Sequence, residues 1–274
     1  MSQAIRIQWA NDTVQICQDG SYPAPSGRIV HFAAEIERAK AGTVMYSPET
    51  PPPRPARPRF GRTQIKVLNQ TTFEALQQLS DGAGHLACLN FASAKNLGGG
   101  FLSGAQAQEE ALARSSALYP CLLRAPDYYE RNRANRSAIY LDLAIFSPLV
   151  PFFRDDSGAL LETPIIASVI TAPAPNAGAV ADNEPGTMVL LEPALRRRAE
   201  LVLQTARGHG VDKLVLGAWG CGVFRNDPRM VARVFSELLS LPGPFDEVIF
   251  AVFDRSPEQT TYKAFVDVFG NSGI

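Results

Sequence analysis

The stretch NFASAKNLGGGFLSGAQAQEEALAR, residues 90–114, runs from an apolar segment through a glycine-rich loop into a helical pattern. Its three consecutive glycines are Gly98, Gly99 and Gly100. Glycine takes positive φ angles and leaves room for a ligand to approach the backbone. Several N–H groups of such a loop can therefore converge on a phosphate, and the loop is a candidate anion site.

Two carboxylates and an amide open the helical pattern after a gap of seven residues: Gln108, Glu109 and Glu110. Carboxylates repel an anion, but they can act on a neutral sugar that is attached to it. The pattern therefore indicates chemistry on a nucleotide sugar. The alternative is that both glutamates are ordinary residues of a first helical turn, where the helix dipole favours negative charge.

The spacing of three glycines, seven residues and Gln-Glu-Glu resembles the signature of the poly(ADP-ribose) glycohydrolases. The flanking residues 90–93 (NFAS) and 111–116 (ALARSS) resemble the shorter bacterial type. This resemblance, which extends over about residues 28–253, implies a macrodomain-like α/β/α sandwich with a mixed central sheet that binds ADP-ribose. It also implies hydrolysis of the ribose–ribose O-glycosidic bond of poly(ADP-ribose), with ADP-ribose as the product.

The resemblance also implies roles for the catalytic residues. Glu110 is the expected acid, and Glu109 is expected to bond the ribose hydroxyls, with Gln108 in support. The two glutamates must differ in role, because successive side chains on a helix point about a quarter turn or more apart and cannot straddle one bond. In the implied mechanism a confined site keeps Glu110 partly protonated. Glu110 protonates the leaving ribose oxygen and then accepts a proton from the attacking water.

A second glycine-rich turn follows the strand that begins at Val211, and Asp227 with Pro228 then starts a helix. The glycines of this turn are Gly217, Gly220 and Gly222. Their order is not G-x-G-x-x-G, and the chain has no G-x-x-x-x-G-K-[ST] motif, so neither hydride transfer nor nucleoside triphosphate hydrolysis is supported. Backbone N–H groups and the helix dipole can still bind an anion. Residues 97–100 and 220–224 are therefore predicted to clamp one diphosphate; the alternative for the second loop is an ordinary tight turn.

The predicted substrate contacts of the second loop are Gly220, Cys221, Gly222, Val223 and Phe224. The resemblance places the ring of Phe224 over the distal ribose, where stacking is a reasonable use for it; the alternative is a core phenylalanine. Cys221 is interpreted as a small apolar filler and not as a nucleophile, because no histidine lies near it in sequence. Before the first loop, Ser93 and Asn96 are both candidates for a ribose contact.

The composition describes an ordinary globular chain of 274 residues, 46% hydrophobic and 19% charged, which is long enough to bury a substantial core. The net charge of −1 leaves no surplus of cations for a long track of phosphates, so no direct nucleic-acid binding is expected.

The expected substrate is poly(ADP-ribose), or an ADP-ribosylated protein. The short bacterial type lacks extra elements that would enclose the interior of a polymer chain, which favours mainly exo-acting cleavage. The alternatives are a non-catalytic ADP-ribose-binding macrodomain module and a hydrolase of another ADP-ribosyl linkage.

The four cysteines lie far apart, without a C-x-x-C pair, and the chain has three histidines. We therefore expect neither a structural zinc site nor another metal or cofactor. Free thiols in a reducing compartment are the simpler interpretation. The N-terminus lacks a secretory signal pattern and no apolar run reaches membrane-spanning length, so the sequence predicts a cytoplasmic protein without a membrane partner.

Residues 1–62 are predicted to form an N-terminal helical extension and a proline-rich connector, packed on a macrodomain-like catalytic domain of residues 63–274. Apolar residues at helical spacing, from Ile29 to Ile36, predict one amphipathic helix over residues 26–40 that ends at Gly42. Residues 48–62 contain too much proline for a helix or a central strand, which predicts an extended connector. Its four arginines could contact a polyanion, although such a segment is more often a solvated linker.

From residue 63 onward strands and helices alternate, which favours an α/β layer architecture. Strands are predicted at 64–68, 85–92, 165–172, from 211 and at 247–253, and helices at 71–79, 109–123, 192–208 and 230–239. Residues 137–146 and 148–154 predict a hairpin or paired strands before a turn at 155–158. The run Arg196–Arg198 on a helix is interpreted as a solvated face.

Overall fold

A seven-stranded sheet forms the centre of the computed structural model, which describes residues 1–55, 62–240 and 245–270. The strands are β1 (Ser21–Pro23), β2 (Ile29–His31), β3 (Val44–Tyr46), β4 (Gln64–Leu68), β5 (Leu86–Phe91), β6 (Ala144–Arg154), β7 (Leu160–Ala172), β8 (Lys213–Gly217) and β9 (Glu247–Ala251). The α-helices are α1 (Gln3–Asp19), α2 (Ala33–Ala41), α3 (Thr72–Ser80), α4 (Gln108–Ser115), α5 (Leu118–Leu122), α6 (Pro126–Ala134), α7 (Ala177–Asn183), α8 (Leu191–Gly208), α9 (Pro228–Leu239) and α10 (Thr260–Phe269). The order in the sheet is β3-β6-β7-β5-β8-β9-β4, and β1 and β2 form a separate pair.

The sheet is mixed and has a core on each face. β5 pairs parallel with β7 and β8, whereas β6 pairs antiparallel with β3 and β7. Successive side chains of a strand point to opposite faces, and β5 follows this rule. Cys88 packs among residues of α2, α3, α5 and α6, while Ala87 and Leu89 pack among residues of α8, α9 and α10. The predicted α/β/α sandwich is thereby confirmed.

The two glycine-rich loops leave the sheet at the same edge. β5 and β8 are parallel neighbours, in register from Leu86 opposite Lys213 to Cys88 opposite Val215. The loop after β5 carries the glycine triplet and the loop after β8 carries the second glycine-rich turn. Ligands of open α/β sheets bind beyond the carboxyl ends of the strands, so the topology brings both loops to such a place.

Two predicted helix starts are confirmed by their caps. α3 begins with a capping box: the Thr71 hydroxyl accepts the N–H of Glu74 at 3.1 Å, and the Glu74 carboxylate accepts the N–H of Thr71 at 2.7 Å. α9 begins with Pro228 in its first position, after Asp227, whose side chain accepts the N–H of Arg229 at 3.0 Å. Both signals are local in sequence, which is why they can be predicted without knowledge of the fold.

The predicted helix over residues 26–40 is wrong in its first half. Residues Ile29–His31 form β2, and the helix begins only at Ala33. Gly42 follows the helix and donates its N–H to Arg38 O, so the predicted end is confirmed. A strand followed by a helix places Val30 and Ile36 in the same core, so the apolar spacing alone does not separate the two structures.

Two other predicted elements have different partners or boundaries. β6 is one strand that continues through Pro148, and its antiparallel hairpin partner is β7 and not the run before it. A register shift around Pro148 accommodates the missing N–H. The helix predicted over residues 109–123 is two helices, α4 and α5, because Ser116 takes an extended conformation and bridges Phe152 of β6.

The sequence does not predict α1 or α10. The buried residues of α1 are Ala10 and Thr13, and those of α10 are Ala264 and Phe265. So few buried positions along 17 residues give α1 a weak periodic signal. Across the described ranges, no helix combines the length and the apolarity that crossing a bilayer requires.

The arginine run on α8 is not a uniformly solvated face. Arg196 and Arg197 remain 38% and 57% exposed, but Arg198 is 0% exposed. Arg198 falls on the buried stripe of the helix, together with Leu195 and Val202 at helical spacing. The predicted solvated face is therefore wrong for Arg198.

The N-terminal region contributes to the central sheet. β3, at residues 44–46, is an edge strand of that sheet and pairs with β6. Residues 56–61 of the proline-rich segment, with Arg57 and Arg59, lie outside the described residues. The extended connector and the domain boundary near residue 62 stay predictions.

Candidate active site

A cavity of about 1010 Å³ opens at the carboxyl edge of the sheet, beyond Phe91 of β5 and Ala218 after β8. The predicted site residues that line it are Ser93, Asn96, Gln108, Glu109, Glu110, Gly220, Cys221, Gly222, Val223 and Phe224. Within the described part of the chain, the glycine triplet is not part of this lining. The structure thus brings the glutamate pair and the second loop together around one cavity.

Glu110 presents one anchored and one unpartnered carboxylate oxygen. Its Oε1 accepts the backbone N–H of Gly100 at 2.9 Å. Its Oε2 is buried and accepts no hydrogen bond from the residues that the structure describes. Leaving a buried acceptor unpaired costs about 1–3 kcal/mol, so this oxygen lacks a hydrogen bond that a ligand or an ordered water could supply.

Glu109 is held more completely by the protein. It is 3% exposed. Its Oε2 accepts the N–H of Ser93 at 2.7 Å, and its Oε1 accepts the Asn90 side-chain amide at 3.3 Å. Burial raises the pKa of Glu109 to about 8, with a smaller contribution from the Glu110 charge, against the lowering effect of these two hydrogen bonds. Glu109 therefore carries a proton through much of the neutral range.

Gly99 and Gly100 of the glycine triplet pack against Glu110, and none of the three glycines is among the described residues that line the cavity. A Cβ atom at Gly99 would lie 2.2 Å from Glu110 Oε1, and the residue has a φ of +62°. The N–H of Gly99 donates to Asn96 O at 3.0 Å, and that of Gly100 donates to Glu110. Two N–H groups of the predicted phosphate cradle at residues 97–100 are therefore engaged within the protein, and binding of a phosphate by this loop stays a prediction.

Gln108 fixes the start of α4 on β5. Its side-chain oxygen accepts the N–H of Phe91 at 2.8 Å, and its amide nitrogen donates to Leu89 O at 2.8 Å and to the Thr72 hydroxyl at 3.1 Å. With both ends of the amide engaged in the protein, Gln108 supports the site by orienting the helix that carries both glutamates.

The second loop, which lines the cavity, carries unpaired backbone donors. The N–H groups of Gly222, Val223 and Phe224 donate to no group within residues 1–55, 62–240 and 245–270. A Cβ at Gly222 would meet open space, whereas one at Gly220, with φ +73°, would lie 2.5 Å from the Ala174 side chain. Three successive free donors followed by the N-terminus of α9 are suited to an anion.

Cys221 packs against the core on one face of the sheet. Burial raises the pKa of its thiol above the usual range, so the nucleophilic thiolate is disfavoured. This environment agrees with the predicted role of Cys221 as a filler.

Tyr140 is a cavity residue that sequence reasoning misses. It lines the cavity, and its ring centroid lies 6.0 Å from that of Phe224. Its φ of 61° is uncommon for a residue that is not glycine. Nothing local in residues 137–143 indicates this conformation, since the run of apolar residues there is typical of a strand.

The helix α1 braces the loop that leads into the glutamates. Arg6 donates to Gly104 O at 2.6 Å and to the Gln106 side chain at 3.0 Å. Further along the helix, the Thr13 hydroxyl donates to Arg114 O at 2.6 Å. The N-terminal helix therefore supports both ends of the segment that carries Glu110.

Comparisons with known proteins agree on one family. The family model described as the catalytic domain of microbial-type PARG matches residues 10–155. The structure is similar to that of poly(ADP-ribose) glycohydrolase from Thermomonospora curvata, with 45% identity over 97% of this chain and 100% of that chain, and a TM-score of 0.89. The same enzyme bound to the inhibitor ADP-HPD gives 44% identity, coverage of 96% and 99%, and a TM-score of 0.87.

A second bacterial structure extends the likeness. Poly(ADP-ribose) glycohydrolase from Deinococcus radiodurans, in complex with ADP-ribose, gives 47% identity over 86% of this chain and 97% of that chain, with a TM-score of 0.80. A comparison with curated protein sequences gives no match. The chain therefore belongs to the microbial-type poly(ADP-ribose) glycohydrolases, enzymes that hydrolyse poly(ADP-ribose).

Proposed function

We propose that this chain cleaves the ribose–ribose O-glycosidic bond of poly(ADP-ribose) mainly at the terminal unit, and that Glu110 is its catalytic acid. The observation that carries this proposal is the carboxylate of Glu110. One of its oxygens is fixed by Gly100, and the other is buried beside the cavity without a partner among the described residues. A carboxyl group placed in this way can exchange a proton with a reacting sugar oxygen.

The loop of residues 222–224 supports binding of the diphosphate. Its three free N–H groups and the start of α9 favour a negative charge. The N–H of Gly100 is engaged by Glu110, so we assign the diphosphate mainly to the second loop. Phe224 and Tyr140 then flank the sugar that is attached to it.

The two glutamates supply acid–base chemistry. Because burial raises the pKa of Glu109 to about 8, Glu109 is uncharged beside Glu110 at neutral pH. Glu110 gives a proton to the leaving ribose oxygen while the bond from that oxygen to the anomeric carbon of the terminal ribose breaks. Water adds to the oxocarbenium-like carbon and gives a proton back to Glu110. Glu109, held by Ser93 and Asn90, bonds to the ribose hydroxyls.

Two properties support cleavage at the terminal unit. A cavity of about 1010 Å³ has the size of a site for one small-molecule ligand, and the net charge of −1 provides no cationic track for the rest of a polyanion. The four free cysteines support a reducing compartment, the cytoplasm, as the place of action.

The test is a time course on two substrates, end-labelled poly(ADP-ribose) and a singly ADP-ribosylated protein, with the products separated by chromatography. We expect free ADP-ribose from the polymer at the earliest time points, without short oligomers. Early oligomers would contradict cleavage at the terminal unit. Binding without any product would favour a non-catalytic module, and release from the singly modified protein would favour action on another linkage.

A further inference from the structure

Arg198 is a fully buried cation behind the cavity. It is 0% exposed. Its guanidinium donates to Pro173 O at 2.7 Å and to Ile139 O at 2.5 Å, and its Nε lies 3.2 Å from the Asp142 carboxylate. A buried charge is expensive unless it is paired and hydrogen-bonded. Arg198 meets this condition only with both carbonyl oxygens and the carboxylate in place, so it constrains the two loops that carry them.

The first of these loops carries Tyr140. Ile139, whose carbonyl oxygen Arg198 binds, directly precedes Tyr140. Tyr140 has a φ of 61°, a conformation that persists only where neighbouring bonds enforce it. The ion pair with Asp142 fixes the chain two residues further on. Arg198 therefore contacts the loop on both sides of Tyr140, at Ile139 and at Asp142.

The other segment that Arg198 contacts, residues 173–178, is bonded to the second loop. In this segment the carbonyl oxygen of Pro175 accepts the Asn226 side-chain amide at 2.7 Å. Gly178, a few residues on, donates its N–H to Phe224 O at 3.0 Å. The segment that Arg198 anchors at Pro173 is thus bonded to Phe224 and to Asn226, two residues further along.

We propose that Arg198 is a positioning residue that sets Tyr140 against Phe224 and thereby determines how tightly the two rings hold the substrate; this rests on the proposed function. Arg198 does not touch the substrate. Its effect passes through Tyr140, whose ring centroid lies 6.0 Å from that of Phe224 in the lining of the cavity. Loss of the guanidinium bonds should loosen binding while the chemistry at Glu110 continues.

The test is a double-mutant cycle of Arg198→Lys and Tyr140→Ala, read as the Kd for ADP-ribose and as KM and kcat on the polymer. Lysine keeps the charge but cannot donate to both carbonyl oxygens and pair with Asp142 in one planar arrangement. We expect Arg198→Lys to raise Kd and KM on the order of tenfold with kcat nearly unchanged, and to have less than about a twofold effect in the Tyr140→Ala background. The matched control is Arg197→Lys, on the exposed neighbour that also binds Asp142, which should behave as wild type.

Equal losses in both backgrounds, or a fall in kcat without a change in Kd, would overturn the proposal. If Arg198→Lys lowers the melting temperature too far for assay, Asp142→Asn provides the same cycle with a side chain of equal size. Binding of ADP-ribose is measured without turnover. A wild-type protein that binds but does not hydrolyse would therefore contradict the proposed function and not the role of Arg198.

Discussion

Gly99 lies so close to Glu110 that a Cβ atom at position 99 would be 2.2 Å from the Glu110 carboxylate. It would also lie 3.0 Å from Oε2 of Glu109. The two carboxyl groups therefore leave no room for a side chain at this position. This contact joins the glycine triplet and the glutamate pair into one structural unit.

Gly99→Ala should lower kcat on the polymer by about a hundredfold or more, the usual scale for a displaced acid–base group. The added methyl group overlaps the Glu110 carboxylate and displaces it, and the positive φ strains alanine at this position. Steady-state kinetics on labelled polymer measures this effect. Gly186→Ala is the control, because a Cβ there meets nothing within 4 Å. Wild-type turnover in Gly99→Ala would show that the contact is unimportant.

Glu109 should make stability depend on pH in a defined direction. Its pKa is raised from 4.5 to about 8 in the folded protein, so the folded state binds a proton that the unfolded chain releases. The stabilisation is full below the unfolded pKa and is lost as the pH rises through the folded pKa. Glu109→Gln stays uncharged and should lose this slope, as urea unfolding at about pH 5 and about pH 8.5 would measure. If the free energies of unfolding of the two proteins changed equally with pH, the raised pKa of Glu109 would be refuted.

Asn226→Asp should weaken ADP-ribose binding about tenfold or more, the scale of a lost buried hydrogen bond. The side-chain amide is buried and donates to Pro175 O at 2.7 Å and to Gly220 O at 3.1 Å, and a carboxylate cannot donate to either. Calorimetry with ADP-ribose provides the measurement. Asn183→Asp makes the same change at an exposed asparagine of α7 and should leave binding unchanged. Equal affinities of wild type and both variants for ADP-ribose would contradict the assignment of the diphosphate to the second loop.

Arg6→Ala should reduce kcat on the order of tenfold with little change in the Kd for ADP-ribose. Its bonds to Gly104 and Gln106 hold the segment that leads into Glu110. The control is Arg196→Ala, which removes an exposed ion pair with Glu237 that is worth little. An unchanged kcat in Arg6→Ala would show that the contacts of α1 do not contribute to catalysis.

The elements with local signals could be predicted from the sequence, and those that depend on distant contacts could not. The strand at 64–68 and the helix start at Asp227 have the predicted residues, because alternation and capping act within a few positions. The contact of Gly99 with the glutamate pair could not be predicted, since it depends on how α4 lies against the loop. Tyr140 and Arg198 gave no signal either, because their conformation and burial follow from loops that meet only in the folded chain.

The central claim is that the Glu110 carboxyl transfers the proton that breaks the inter-sugar bond. The most direct measurement compares Glu110→Gln with wild type for release of ADP-ribose from labelled poly(ADP-ribose), together with the Kd for ADP-ribose. Glutamine can still accept the N–H of Gly100 but cannot transfer a proton. We predict a loss of turnover of about a hundred- to ten-thousandfold with binding retained. Turnover within a few fold of wild type, in a variant that still binds ADP-ribose, would contradict the account.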